Sequence, residues 1–357
     1  MADNPYIKKL VREEIRALSA YHVPAPGQWI KLDAMENPYQ LPDELKEQWL
    51  QRLRTVDLNR YPDPSASALK QQLREVMKVP PHTELLLGNG SDEIIQMIIM
   101  ALAKPGAVVL APEPTFVMYR MISLFCNVDY VGVPLQEDFT LDMVAMRKAI
   151  AAHQPAVIFL AWPNNPTGNL FDEDEVLDII ANAPGLVVVD EAYTSFAQRS
   201  FLNRVNDYDN LLVMRTVSKS GLAGLRLGYL AGSPQWCREL DKVRLPYNIN
   251  ILTQASAQFA LEHNDVLEEQ AENIRAARAD LLEALNAIDG IEVFGSAANF
   301  ILFRIANADD VFASLKDKGV LIKNLNPAGG ALKDCLRVTV STPQENSAFL
   351  QALQASL

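Results

Sequence analysis

From about residue 84 the chain settles into a rhythm. Short, wholly apolar runs alternate with stretches in which apolar residues recur at helical spacing. The runs are ELLLG (84–88), AVVL (107–110), AVIFLA (156–161), LVVVD (186–190), LLVMR (211–215) and GYLAG (228–232). Runs this short and this apolar predict strands buried on both faces, as in a mostly parallel sheet. Helix signals lie between them. Ser91 precedes Asp92, Glu93 and an apolar run; Thr140 precedes Leu141, Val144, Ala145 and Ala149; acidic residues crowd positions 172 to 175, where they suit a helix N-terminus. The alternation predicts an α/β domain.

Near residue 247 the pattern changes. Leu267, Ala271, Ile274, Leu281, Leu285 and Ile288 form one stripe of a long helix over about 265–289. Strand-like runs follow at IEVF (291–294), NFILFRI (299–305), GVLIK (319–323) and CLRVTV (335–340), which reads as a smaller α+β unit. Ahead of the α/β rhythm, the first thirty residues read as an amphipathic helix followed by an arm containing Pro24, Pro26 and Gly27, and NRYPDPS (59–65) reads as loop. The expected organisation is an arm over 1–35, a large domain over 36–246 and a small domain over 247–357.

Composition narrows the classes of function. The 357 residues are 49% hydrophobic and carry a net charge of −12, so a folded core is expected and a nucleic-acid surface is not. A local basic pocket for an anionic substrate stays compatible with that charge. Cys126, Cys237 and Cys335 stand far apart, which suits a reducing cytoplasm and not a disulfide framework. The four histidines show no metal-ligand spacing. The N-terminus lacks the apolar core of a signal peptide, and the run Ile94 to Ala103 is far short of the roughly 20 residues a membrane span needs.

Four clusters carry candidate chemistry. GNGSDE (88–93) places glycines before a helix start, whose free N–H groups bind phosphate, although an ordinary capped helix has about even odds on this string alone. WPNNPTG (162–168) puts a rigid turn and the amide of Asn165 at the carboxyl end of a strand, where ligands of open α/β sheets bind; a plain turn is the bland alternative. LVVVDEAY (186–193) ends an apolar strand on Asp190, a carboxylate that needs a positive partner such as a protonated ring nitrogen, with Tyr193 within reach; a helix cap would leave the same trace. RTVSKSGLAGLRLGY (215–229) sets Lys219 among small residues with Arg226 downstream. Desolvation would activate that lysine toward an electrophile and Arg226 would pair with phosphate, whereas most lysines are simply solvated.

The order of these clusters, together with KLDAMENPY (31–39), NRYPDP (59–64) and CLRVTV (335–340), resembles the fold-type I pyridoxal-phosphate aminotransferases, and within them the histidinol-phosphate aminotransferases. The likeness runs from about residue 15 to 343. It implies pyridoxal 5'-phosphate as cofactor, Lys219 as the lysine that carries it and then shuttles a proton, and Asp190 as the partner of its ring nitrogen. Asn165 and Tyr193 would bond its phenolic oxygen, and Tyr119 would stack on its ring. Ser91, Asp92, Ser218 and Arg226 would hold its phosphate, with Tyr61 reaching in from a second subunit of an obligate homodimer. Arg337, Lys323, Tyr21 and Asn165 would face a phosphorylated amine and 2-oxoglutarate.

Three departures from the family pattern stand out. The Lys219–Arg226 segment is one residue short; Met35 replaces an asparagine, so a polar contact there is expected to be lost; and Lys323 stands where arginine is frequent. An aromatic-amino-acid aminotransferase or a threonine-phosphate decarboxylase of the same fold would share the cofactor residues. A cofactor-free hydrolase or binding protein has only the string Ser67-Ala-Leu-Lys70 in its favour, a pattern expected about once by chance in such a chain.

Overall fold

The computed structural model describes residues 4–20 and 27–357. Thirteen strands run in chain order: β1 (Ile30–Lys31), β2 (Glu84–Gly88), β3 (Val108–Glu113), β4 (Asp129–Pro134), β5 (Val157–Ala161), β6 (Leu186–Asp190), β7 (Leu211–Thr216), β8 (Gly228–Gly232), β9 (Ile291–Val293), β10 (Phe300–Ile305), β11 (Val320–Leu321), β12 (Lys323–Asn324) and β13 (Cys335–Thr339). Seven build one sheet in the order β2-β8-β7-β6-β5-β3-β4. Every pairing is parallel except those of β8 with β2 and β7.

The apolar runs work because both faces of this sheet are covered. Alternate side chains of one strand serve two different cores: Ile158, Leu160, Val187, Val189 and Val213 pack on one face, and Val157, Phe159, Val188, Leu212 and Met214 on the other. The seventh strand, β4, gives no such run. DYVGVP lies at the sheet edge and buries only Val133.

Two helix starts differ from the sequence reading. The helix signalled by Thr140 begins at Met143, capped by Asp142, whose carboxylate accepts from the Ala145 N–H; Thr140 is instead held by Asp138. The N-terminal helix is two short helices, Pro5–Leu10 and Glu13–Arg16. Between them Val11 and Arg12 are extended, and Arg12 donates to the carbonyls of Leu124 and Phe125 at the end of the helix Met118–Phe125.

A second sheet, β12-β13-β10-β9, is antiparallel throughout and packs against the long helix Asn264–Asn286 in a separate core with Ile274, Leu281, Phe303 and Phe349. The run GVLIK divides in two. Val320–Leu321 pairs with β1, which ties Ile30–Lys31 to this unit, while Lys323–Asn324 joins β13. The helix Ile251–Glu262 packs against the helices Asp43–Leu53 and Ser67–Val76, on the side of the large sheet. No helix among the described residues is long and apolar enough to cross a membrane.

Candidate active site

The adjacent strands β7, β6, β5 and β3 all end at one edge of the large sheet, and β2 runs parallel to β7 across β8. That edge is where open α/β sheets bind ligands. Ser218 and Lys219 follow β7, Asp190 closes β6, Asn165 follows β5 and Phe116 follows β3; with Ser91, Asp92, Tyr193 and Arg226 they line one cavity.

Lys219 sits in a tight turn over Ser218–Leu222, where Gly221 takes φ 111°. Burial, with Arg337 as the next cause and Arg226 adding to it, lowers its amine to about 8, while Glu36 and Asp92 act weakly the other way. An amine in that range has about one tenth of its population unprotonated at pH 7, far more than a solvated lysine. Its Nζ donates to the carbonyl of Ala34 at 3.3 Å.

Asp190 is 4% exposed. Its Oδ2 accepts from the Tyr119 hydroxyl at 2.7 Å and its Oδ1 from the Ala192 N–H at 3.1 Å. Burial pushes the carboxyl up to about 6, those two hydrogen bonds hold it down, and Asp92 and Glu191 raise it slightly. The carboxylate is thus desolvated and, among the described residues, has no cation bonded to it.

Tyr119, expected to stack on the cofactor ring, does not line this cavity. It is fully buried, stacked on Phe159 with centroids 4.7 Å apart, and its hydroxyl is spent on Asp190. The helix Met118–Phe125 begins between the two aromatics of PTFVMYR and turns Tyr119 toward the sheet. Phe116, still in the preceding loop, lines the cavity in its place and meets Tyr119 edge-on at 5.6 Å. The pair of aromatics in that string was the signal; which one faces the ligand depends on where the helix starts.

The opposite end of the cavity is the start of the helix Ser91–Leu102. Gly90, its N-cap, supplies no side-chain cap, so the first N–H groups are left for a ligand. A Cβ on Gly90 would stand 2.6 Å from Arg226 Nη2, so the missing side chain is what lets the guanidinium reach the helix start, where it pairs with Asp92 at 3.5 Å. The one-residue-shorter segment therefore still delivers Arg226, which takes φ 49° to do so. Ser218 Oγ, bonded to Thr216 Oγ1 at 2.9 Å, faces the same cavity.

Asn165 and Tyr193, expected to share one ligand oxygen, lie together, with Asn165 Nδ2 donating to Tyr193 Oη at 3.1 Å. Arg337, 6% exposed, donates through Nη1 to Asn165 Oδ1 at 2.5 Å and through Nη2 to the Asp33 carbonyl at 3.1 Å. Lys323 is its cross-strand partner, and both line a second, larger cavity of about 820 Å³ that adjoins the first at Met35, Phe116 and Asn165. Met35 still makes a polar contact of its own: its sulfur accepts from the Tyr193 hydroxyl at 3.1 Å. Tyr61 lies elsewhere, 80% exposed and stacked on Tyr247 at 4.4 Å. Tyr21 lies outside the described residues.

This geometry offers a reactive lysine, an unpaired buried carboxylate one strand away and an anion cradle at a helix start. The model of class I and II aminotransferases matches residues 27–353, and the chain belongs to that family. Its fold is that of the fold-type I pyridoxal-phosphate enzymes. Relatives include histidinol-phosphate aminotransferase 2 of Nitrosococcus oceani, 58% identical over 98% of both chains, and histidinol-phosphate aminotransferase 2 of Cupriavidus pinatubonensis, 56% identical over 100% of this chain and 99% of the relative. Among solved structures, the histidinol-phosphate aminotransferase of Sinorhizobium meliloti in complex with pyridoxal-5'-phosphate superposes with a TM-score of 0.84 at 25% identity, covering 96% of each chain.

Pyridoxal phosphate fits the residues present. Asp190 is a buried acid with no cation bonded to it among the described residues, Lys219 is a lysine whose pKa is lowered to about 8, and Gly90 opens an uncapped helix start to Arg226.

Proposed function

We propose that this enzyme interconverts L-histidinol phosphate plus 2-oxoglutarate with 3-(imidazol-4-yl)-2-oxopropyl phosphate plus L-glutamate, a step of histidine biosynthesis. The observation that carries the reading is the lowered pKa of Lys219 in a cavity it shares with Asp190 and the helix start at Ser91. The substrate rests on the relatives' names and on the pairing of Lys323 with Arg337 in the adjoining cavity.

When bound, pyridoxal phosphate supplies an electron sink for the pair released at the amine-bearing carbon. Asp190 presents an anionic oxygen to the proton on the ring nitrogen. Ser218, Arg226 and the N–H groups of Ser91 and Asp92 hold the phosphate. Lys219 Nζ, half unprotonated at about pH 8 and already in place, takes the proton from the amine-bearing carbon. Asn165 and Tyr193 would hold the phenolic oxygen, and Phe116 would cover the ring. Arg337 and Lys323 bind the anionic end of each substrate, phosphate or carboxylate; lysine does so as a point charge.

Rates measured with a panel of amine donors at fixed 2-oxoglutarate test the substrate. Histidinol phosphate should be strongly preferred, and phenylalanine or tyrosine turning over far faster would overturn the assignment. We further propose a cytoplasmic homodimer in which Tyr61 serves the neighbouring site. Exposed Leu58, Tyr61, Leu245 and Leu252 support a partner surface, since this much apolar side chain is otherwise left in water. A chain that sediments as a monomer at full activity would refute it. The division into 1–35, 36–246 and 247–357 is kept as a proposal, with the helix Ile251–Glu262 assigned by its packing to the large unit.

A further inference from the structure

The hydrogen-bond directions around Tyr193 are fixed by elimination. Arg337 carries only donors, so the atom of Asn165 facing it is the oxygen, at 2.5 Å. The amide nitrogen of Asn165 therefore faces Tyr193, whose oxygen accepts at 3.1 Å. The single hydroxyl proton of Tyr193 is left to point elsewhere, and Met35 Sδ lies 3.1 Å away. Met35 is not a passing neighbour. It takes φ 55°, a left-handed conformation that disfavours an L side chain, and its backbone is pinned on both sides: its N–H donates to Thr339 Oγ1 and its carbonyl accepts from buried Asn299, each at 3.0 Å. Those bonds hold the thioether between the inner and outer cavities, both of which it lines.

We propose that Met35 is a positioning residue for Tyr193: its sulfur holds the tyrosine's hydroxyl proton in competition with the phenolic oxygen of bound pyridoxal phosphate. This rests on the reading that Tyr193 donates to that oxygen. A thioether is a weak acceptor, so the proton is held in place without being captured. Aimed at the ligand's oxygen, Tyr193 favours the anionic phenolate; aimed at Met35, it does not. The titratable and charged groups acting on Tyr193 are Arg337, Asp190 and the hydroxyl of Tyr119, with the Lys219 amine 5.7 Å from the tyrosine ring; Glu36 and Asp92 act on Lys219. All of these stay in place when Met35 is varied.

The test is the pH midpoint of the absorbance band of the Lys219-linked cofactor, read without any turnover. Met35→Leu removes the competing acceptor and should lower that midpoint by about half a unit, the scale of a weak sulfur contact. Met35→Gln offers a stronger acceptor and should raise it. Both shifts should vanish in a Tyr193→Phe background, which a merely structural role for Met35 would not bring about. Shifts of equal sign in the two variants, no shift, or shifts that persist without the tyrosine hydroxyl overturn the proposal for Met35. Tyr193→Phe alone should raise the midpoint; if it does not, the underlying reading of Tyr193 fails instead.

Discussion

Asp190→Asn should make the cofactor-free protein more stable while disabling the enzyme. In the folded chain the carboxyl is held at about 6, against 3.8 for an ordinary aspartate, mainly because burial penalises its charge. A group whose folded pKa is raised contributes stability that is full below the unfolded value and is lost as pH rises through the folded one. For Asp190 that loss runs from about pH 4 to about pH 6. The gap of roughly two units corresponds to something on the order of 3 kcal/mol at pH 8. Asparagine has nearly the same shape and can still accept from Tyr119 or Ala192, but it brings an amide donor with no partner provided, so the net gain is smaller, about 1–2 kcal/mol. For 357 residues that is an increase in Tm of about 1–3 °C. Thermal unfolding of both cofactor-free proteins between pH 4 and pH 8 checks this. The variant's advantage should open across the window from about 4 to 6 and then level off. Parallel Tm profiles throughout would show that Asp190 is not held as a desolvated anion, and the argument that it awaits a ring cation would fall with it. With pyridoxal phosphate present, the same variant should bind the cofactor yet turn over far more slowly, because a neutral ring is a poorer electron sink.

Three further outcomes follow from the geometry. The rate at which the cofactor-free protein captures pyridoxal phosphate should rise with pH through about 8 as Lys219 loses its proton, and Arg337→Gln, by removing a charge that lowers the lysine, should move that midpoint upward in stopped-flow absorbance. Gly90→Ala should weaken cofactor binding tenfold or more in equilibrium titration, since its Cβ would meet Arg226 Nη2 at 2.6 Å and φ 82° is strained for alanine; wild-type affinity would remove Arg226 from the phosphate cradle. Glu191→Gln should destabilise the fold by about 3–5 kcal/mol in denaturant unfolding, because Arg215, bonded to Glu191 at 2.8 Å, would be left as a buried cation.

The large sheet was legible because strands covered on both faces must be apolar through their middles, and six of its seven are, with Glu84, Glu113, Asp190, Arg215 and Thr216 confined to strand ends. The edge strand β4 was not, since only Val133 is buried there and the rest carry no such constraint. The chemistry at strand ends was legible for a related reason: Asp190 closing LVVVD and Lys219 among small residues are costly unless something uses them. Sequence also brought Asn165 and Tyr193 together, through the order of the clusters.

What it could not decide was direction and long-range contact. Whether Phe116 or Tyr119 faces the ligand turns on a helix starting at Met118, and the two side chains end on opposite errands, one in the cavity and one behind Asp190. The sulfur of Met35 bonds a tyrosine 158 positions away, and Arg337 reaches Asn165 across 172. Local pattern fixes which residues are buried, because burial is a property of each position in its own element. Who meets whom inside the site is set by how the two sheets and the first described strand pack together, and no stretch of chain carries that information alone.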